Sequence, residues 1–196
     1  LTFGKQRSGV AVPVTVDPHL RNLRPLLEQA AGSRHDLAMS LDTVACAVVV
    51  DAALFDSAIM NLVVNARDAM PDGGNIVVRT RVVDFPGGQE VEIAVTDSGV
   101  GIAEADLKQI FDPFFSTKGD LGTGLGLSMV LAFATQSGGT VLPESAPGTG
   151  TTMRIRLPLA DPAALAETAA GQAALVDADA AATPALSPDV SIDGLS

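Results

Sequence analysis

The sequence has only one cysteine and no long hydrophobic run. Cys46 cannot form an internal disulfide, and its apolar neighbours predict a packing role in a reducing compartment. The longest apolar run, around residues 45–50, is far shorter than the roughly 20 residues that span a bilayer, and no secretory signal opens the sequence. We therefore expect a soluble, cytoplasmic chain that makes no direct membrane contact.

Basic charge is also scarce. The 196 residues include 12 lysines and arginines against 23 aspartates and glutamates. Nothing in the sequence indicates a basic surface studded with aromatic residues, so binding to DNA or RNA is not expected. Residues 161–196 hold six acidic residues and no basic one, and they are rich in alanine with proline and glycine between. This composition predicts a disordered acidic linker.

Ahead of that segment, helical and extended patterns mix. Val91, Ile93 and Val95 alternate with polar or small residues, which is typical of a half-buried strand. The patterns predict strands over 75–83, 91–96 and 152–157 and within 36–50, and helices over 18–31, 51–69, 103–110 and 125–137. Few links resemble repeated crossover units, so we predict a two-layer α/β sandwich, with a mixed sheet covered by helices on one face.

One predicted helix carries a polar stripe. Asn61, Asn65 and Asp68 fall within an arc of about 60° at 100° per residue. The apolar residues of the same helix occupy a different arc: Phe55, Ile59, Leu62, Ala66 and Met70. The stripe is either a solvated face or a surface that meets a ligand.

Three glycine clusters follow. DSGVG (97–101) ends a strand and puts a carboxylate beside flexible backbone, although an ordinary turn has the same composition. GTGLGLS (122–128) leads into a helix, where exposed N–H groups attract phosphate oxygens. PGTGTTM (147–153) precedes the last strand. Between the first two clusters, FDPFFSTKGD combines three phenylalanines with Lys118, which indicates either an anchored mobile lid or a surface loop pinned by Phe111 and Phe114.

In sequence order, these elements resemble the N, G1, F, G2 and G3 boxes of the catalytic and ATP-binding domain of bacterial sensor histidine kinases, which belong to the Bergerat-fold ATPases. The resemblance runs from about Pro18 to Leu159. It implies a domain over 13–160, preceded at 1–12 by the end of a dimerisation and phosphoacceptor helix and its linker. The parent protein would be a sensor kinase or a hybrid kinase.

The resemblance implies ATP and Mg²⁺ as ligands. Asn65 would coordinate Mg²⁺ and Asn61 would lie nearby, on a phosphate or a metal-bound water. Asp97 would accept the adenine amino group, Gly101 would pack against the base, and Thr152 would support Asp97 through a water. Lys118 would close over the phosphates, and with the two asparagines it forms the expected catalytic set. The other implied nucleotide-binding residues are Asp68, Gly99, Ile102, Phe111, Gly122, Thr123, Gly124, Leu125 and Gly126.

Three features of the sequence bear on this assignment. Many relatives carry a basic residue where this chain has Asp68, and the lid between Phe115 and Gly122 is short. Related ATPases that hydrolyse ATP carry a glutamate at the position of Asn61, and an amide cannot accept the proton of an attacking water. We therefore expect phosphoryl transfer instead of hydrolysis.

The implied acceptor is a histidine on a dimerisation domain outside this chain, and a response-regulator receiver would act downstream. His19 lies in a superficially similar segment, but only about 30 residues with two predicted strands separate it from the asparagine helix, too few for an acceptor hairpin. His35 is expected in a loop. Two alternatives stay open: a degenerate nucleotide-binding regulatory module, and a serine kinase of the anti-sigma type with the same fold.

Overall fold

The computed structural model describes residues 10–43, 46–116 and 123–161. The elements run in the order β1 (Val12–Thr15), α1 (Val16–Ala31), β2 (His35–Leu41), β3 (Ala47–Val50), α2 (Ala52–Asp68), β4 (Gly74–Phe85), β5 (Gly88–Asp97), α3 (Glu104–Leu107), α4 (Gly126–Gln136), β6 (Thr140–Ala146) and β7 (Gly150–Pro158). The predicted domain divisions after residues 12 and 160 stay predictions, and the predicted linker lies almost wholly outside the described residues.

Five strands form the main sheet, in the order β2-β4-β5-β7-β6. The β2–β4 pair is parallel and the other pairs are antiparallel, which confirms the predicted mixed sheet. β1 and β3 form a separate antiparallel pair. The inner face of the main sheet is apolar because every second residue of its central strands points to the helices, as Val91, Ile93 and Val95 do on β5.

Three helices cover that inner face. α2 begins at Ala52 because the side chain of Asp51 caps it, accepting the N–H groups of Ala53 (3.0 Å) and Leu54 (3.2 Å). The predicted apolar arc of α2 is buried: Phe55, Ile59, Leu62, Ala66 and, just past its end, Met70. α2 packs between α1 and α4, so the polar stripe has to run along a seam of the helical layer.

The ring of Phe55 joins the three helices. It meets the ring of His19 on α1 edge-to-face at 5.3 Å and that of Phe133 on α4 at 5.9 Å. At the start of α1, the fully buried carboxylate of Asp17 accepts hydrogen bonds from the backbone N–H and hydroxyl of Thr43 and from the hydroxyl of Thr80 (2.7 Å). These contacts fix the helical layer over the sheet.

The outer face of the sheet carries a charged cluster. Glu92 on β5 is 2% exposed, although it points away from the helices. Its Oε1 accepts hydrogen bonds from Arg81 (Nη2, 2.7 Å; Nε, 2.8 Å) and its Oε2 from Arg156 (Nε, 2.8 Å), while Arg154 lies 3.7 Å away. Burial opposes ionisation, but the hydrogen bonds and charges of Arg156 and Arg81 outweigh it and lower the pKa of Glu92.

Two predictions about secondary structure were wrong. The helix predicted over 103–110 shrinks to Glu104–Leu107, after which the chain continues in turns. The strand β6 was not predicted, because Pro143 interrupts its pattern. β6 lies at the edge of the sheet, where a residue without an N–H can be accommodated. The other predicted elements are present with ends shifted by a few residues.

Candidate functional site

The asparagines of α2 face the first turn of α4. A methyl group placed on Gly126 would lie 3.3 Å from Oδ1 of Asn61 and 3.7 Å from Nδ2 of Asn65. Both asparagines are half-buried. The structure therefore brings Asn61 and Asn65 next to the first turn of α4, which is the positive end of that helix.

The loop entering α4 is tied to the aromatic segment. The N–H of Phe114 donates to the carbonyl of Gly124 (3.0 Å), and Phe114 itself takes a positive φ of 69°. Its side chain is 76% exposed, whereas Phe111 and Phe115 pack against the core. The alternative of a surface loop pinned by Phe111 and Phe114 is therefore wrong for Phe114. Lys118 and Gly122 lie outside the described residues, and Thr123 and Leu125 are exposed.

Asp97 ends β5 on the inner face, and it is 7% exposed. Its Oδ1 accepts the backbone N–H groups of Gly99 (2.9 Å) and Thr151 (3.1 Å). Burial raises the pKa of Asp97, and the two N–H groups offset that rise in part. Within the described residues both hydrogen bonds use Oδ1, so Oδ2 is the oxygen available to a ligand. Asp97 and Thr151 are among the residues that line a cavity of about 220 Å³, which also extends to Thr96 and Thr152.

Gly99 and Gly101 lie where other protein backbone approaches closely, and the expected contact of Gly101 with the base stays a prediction. A methyl group on Gly99 would lie 2.5 Å from the carbonyl oxygen of Ala69, at the end of α2. Gly101 has a φ of +71°, and a methyl group there would lie 2.0 Å from the carbonyl oxygen of Ala146. The loop after Asp97 is therefore wedged between α2 and the β6–β7 turn, which holds the carboxylate in place.

The assignment of Thr152 as the support for Asp97 was wrong. The register pairs Asp97 with Thr151, and Thr96 with Thr152. Since alternate residues of a strand point to opposite faces, Thr152 faces outward, where its hydroxyl lies 3.0 Å from that of Thr96. Thr151 points inward with Met153, Ile155 and Leu157, so the alternation already visible in the sequence identifies it.

Asp68 continues the polar stripe at the end of α2, where its Oδ1 accepts hydrogen bonds from Arg67 (Nη2, 2.7 Å; Nε, 2.9 Å). It lines a second cavity, of about 610 Å³, together with the turn between α1 and β2. Ile102 is half-buried, and its N–H donates to the hydroxyl of Ser145 (2.8 Å). Ser145 was missed by sequence reasoning because it lies on β6, the strand that was not predicted.

A mixed sheet under three helices, with a buried aspartate near a glycine-bounded seam, defines an ATPase-type nucleotide-binding domain. The family described as "Histidine kinase-, DNA gyrase B-, and HSP90-like ATPase" matches residues 50–161, and the chain belongs to this family. The resemblance stated from the sequence is thereby confirmed.

Curated relatives are sensor kinases. The chain is 41% identical over 151 residues to the sensor kinase CckA of Brucella abortus (strain 2308), which covers 71% of the chain and 16% of CckA. It is 38% identical over 135 residues to the sensor histidine kinase ZraS of Klebsiella oxytoca, covering 68% of the chain and 28% of ZraS. The chain thus spans less than a third of the length of these relatives.

Solved structures agree with the predicted fold. The mycobacterial sensor histidine kinase MprB superposes with a TM-score of 0.66 at 25% identity, covering 76% of this chain and 98% of that one. The catalytic domain of the histidine kinase ThkA, in a nucleotide-free form, gives a TM-score of 0.65 at 26% identity, covering 76% and 95%. The two-layer α/β fold is therefore confirmed. In the part of the chain that the structure describes, no helix is both long and apolar enough to cross a membrane.

Proposed function

We propose that this chain is the cytoplasmic, ATP-binding catalytic domain of a sensor histidine kinase. It transfers the γ-phosphoryl group of ATP to a histidine on the dimerisation domain of the same full-length kinase, from which a response-regulator receiver takes it. The observation that carries this proposal is that α2 meets both the expected phosphate end and the expected base end of the site. Asn61 and Asn65 face the α4 N-terminus, and the loop after Asp97 contacts the end of the same helix.

The residues present fit a magnesium triphosphate. Because Gly126 has no side chain, phosphate oxygens would approach the first N–H groups of α4 beside the asparagines. The amide oxygen of Asn65 is a ligand that Mg²⁺ accepts, with phosphate oxygens and waters as its other ligands. When bound, the metal would neutralise charge that develops on the transferred phosphoryl group. In this proposal Asn61 and Asn65 hold the phosphate end, and Lys118 closes over it.

Asp97 would hold the base. Its Oδ1 is occupied by two backbone donors, and its Oδ2 can accept one hydrogen of the exocyclic amine of adenine. A carboxylate that is 7% exposed gains from a donor supplied by a ligand, because a hydrogen bond to a charged acceptor is stronger where solvent is scarce.

The two histidines of this chain make contacts inside the domain. Nε2 of His19 lies 2.5 Å from Oδ1 of Asp56, and the His19 ring packs on Phe55 inside the helical layer. His35 donates from Nε2 to the carbonyl of Met70 (2.9 Å). Both serve contacts within this domain, which supports an acceptor histidine supplied in trans.

Replacing the metal ligand tests this function. Binding of a non-hydrolysable ATP analogue should tighten with Mg²⁺ in the unmodified chain, and Asn65→Ala should remove most of that increment, about tenfold. Asn75→Ala is the matched control, because Asn75 is an exposed amide on β4. Equal affinity with and without Mg²⁺ in the unmodified chain would refute the metal assignment.

The acceptor is tested separately. With ATP and the dimerisation domain of the full-length kinase supplied in trans, the label should appear on that domain as an acid-labile phosphohistidine. An acid-stable phosphoserine would instead identify a serine kinase of the same fold. ATP binding with no transfer to any acceptor domain would identify a regulatory module.

A further inference from the structure

The hydroxyl of Ser145 connects three parts of the base-binding end of the domain. It lies on β6, and it accepts the N–H of Ile102 (2.8 Å) from the loop that follows Asp97. It donates to the carbonyl of Gly150 (2.9 Å) at the start of β7. It also lies 2.9 Å from the hydroxyl of Thr151. Ser145 is therefore in direct contact with the residue that faces Asp97 across the strand pair.

Only one arrangement of hydroxyl protons satisfies all three contacts. A serine hydroxyl has one proton and two acceptor positions. The carbonyl of Gly150 can only accept, so it takes the Ser145 proton, and the N–H of Ile102 occupies one acceptor position. The remaining position must receive the proton of Thr151. The hydroxyl of Thr151 then points its proton at Ser145 and offers only lone pairs to anything else.

We propose that Ser145 is a positioning residue for base selection, because it fixes Thr151 as a hydrogen-bond acceptor beside Asp97. This inference rests on the proposed function and adds to it the residue that sets the polarity of the base-binding edge. Oδ2 of Asp97 and Oγ1 of Thr151 then form an edge made of acceptors alone, on side chains that are each 7% exposed.

An edge of acceptors selects a 6-amino purine. The amino group of adenine offers donors to it, either directly or through a water. A 6-oxo purine places an oxygen at the same position, and acceptor would face acceptor. Were Thr151 free to rotate, its proton could turn toward that oxygen and relieve the repulsion. Ser145 blocks this rotation by accepting the proton, so it discriminates without touching the base.

The ratio of ATP to ITP affinity measures this polarity, since the two nucleotides differ only at the base. Ser145→Ala should lower that ratio about fivefold, the effect expected from one hydrogen bond whose direction is no longer fixed. Both nucleotides bind the same folded molecules, so any loss of stability cancels in the ratio. Thr140→Ala removes an exposed hydroxyl from the other end of β6 and should leave the ratio unchanged.

A double-variant cycle shows whether Ser145 acts through Thr151. Thr151→Val should lower the ATP to ITP ratio by itself, and Ser145→Ala should then have no further effect on it. The inference is overturned if Ser145→Ala keeps the native ratio, or if the two substitutions act additively. Failure of the unmodified chain to bind ATP is a different result: it overturns the proposed function, and the inference falls with it.

Discussion

Two carboxylates on β5 occupy opposite faces of the sheet and opposite chemical environments. Glu92 faces outward and is held by Arg81 and Arg156, which lower its pKa. Asp97 faces inward, receives only neutral backbone N–H groups from the residues that the structure describes, and has a raised pKa. Both side chains are less than a tenth exposed. Burial alone therefore does not distinguish a structural carboxylate from a binding one.

The difference lies in the partners. Glu92 has the charges and hydrogen bonds that a buried anion needs, so its environment is complete without a ligand. Asp97 lacks a cationic partner among the described residues and keeps one oxygen unused. A ligand that donates a hydrogen bond would improve the environment of Asp97 but could add nothing at Glu92. Three experiments can break or sharpen this contrast.

The largest effect is expected from Asp97→Asn. The amide oxygen can keep the two backbone N–H groups, but the amide nitrogen then replaces Oδ2 and points donors at the amino group of adenine. ATP affinity should fall about 100-fold, while stability changes little because a costly buried charge is removed. Calorimetric titration measures the affinity, with Glu92→Gln as the control that should bind normally. An Asp97→Asn variant that binds ATP within threefold of the native affinity would contradict the assignment.

Glu92→Gln should lower the stability of the protein and leave its ATP affinity unchanged. It removes the anion between the arginines, and we expect a loss of about 1–2 kcal/mol in the free energy of unfolding, less than for a wholly buried pair because Arg81 is largely exposed. Urea denaturation checks this value. Glu90→Gln, on the same face of β5, should stay within about 0.5 kcal/mol of the native protein. Equal stability of the two variants would show that the arginine cluster contributes nothing to folding.

The smallest effect is on pH dependence, and acid should weaken the contribution of each of the two carboxylates. The raised pKa of Asp97 means that it takes up a proton at a pH above its ordinary value of 3.8, so acid weakens its acceptor role. The ratio of ATP to ITP affinity should fall about two- to threefold at the acid end of the range where the protein stays folded. The titration of the triphosphate cancels in this ratio.

For Glu92 the lowered pKa gives stability that is fully present above the ordinary value of 4.5 and is lost as the pH falls through the folded-state value. The stability difference between the native protein and Glu92→Gln should therefore shrink in acid. A ratio of nucleotide affinities that is flat with pH, or a stability difference that grows in acid, would contradict these directions.

Much of the fold could be predicted from local patterns. The apolar arc of α2 and the alternation along β5 gave both elements and their buried faces, because helical and extended periodicity record burial directly. β6 could not be predicted this way, since Pro143 breaks its alternating pattern. Its place at the edge of the sheet is set by its pairing with β7. The burial of Glu92 was equally hidden. Alternation assigns it to the solvent side, and the arginines that cover it come from the two neighbouring strands, β4 and the more distant β7.

The candidate site was predicted in part. The order of the boxes pointed to Asn61, Asn65 and Asp97, and the structure places the two asparagines together beside the first turn of α4. Thr152 was assigned from the family resemblance, whereas the alternation along β7 places Thr151 on the inner face with Met153. The place of Ser145 in the site could be predicted only from the register of β5, β7 and β6, which a single sequence does not provide.

Because Glu92 and Asp97 lie on opposite faces of β5, they also disfavour pairing of this strand in a shifted register. A shift of one residue against β4 and β7 would carry Glu92 into the apolar layer and expel Asp97 from it, so two charges would be mismatched at once. The correct register of β5, the central strand of the main sheet, is thus favoured by one residue on each of its faces. The carboxylate meant for the nucleotide reaches its place only in the one alignment that also satisfies the arginines.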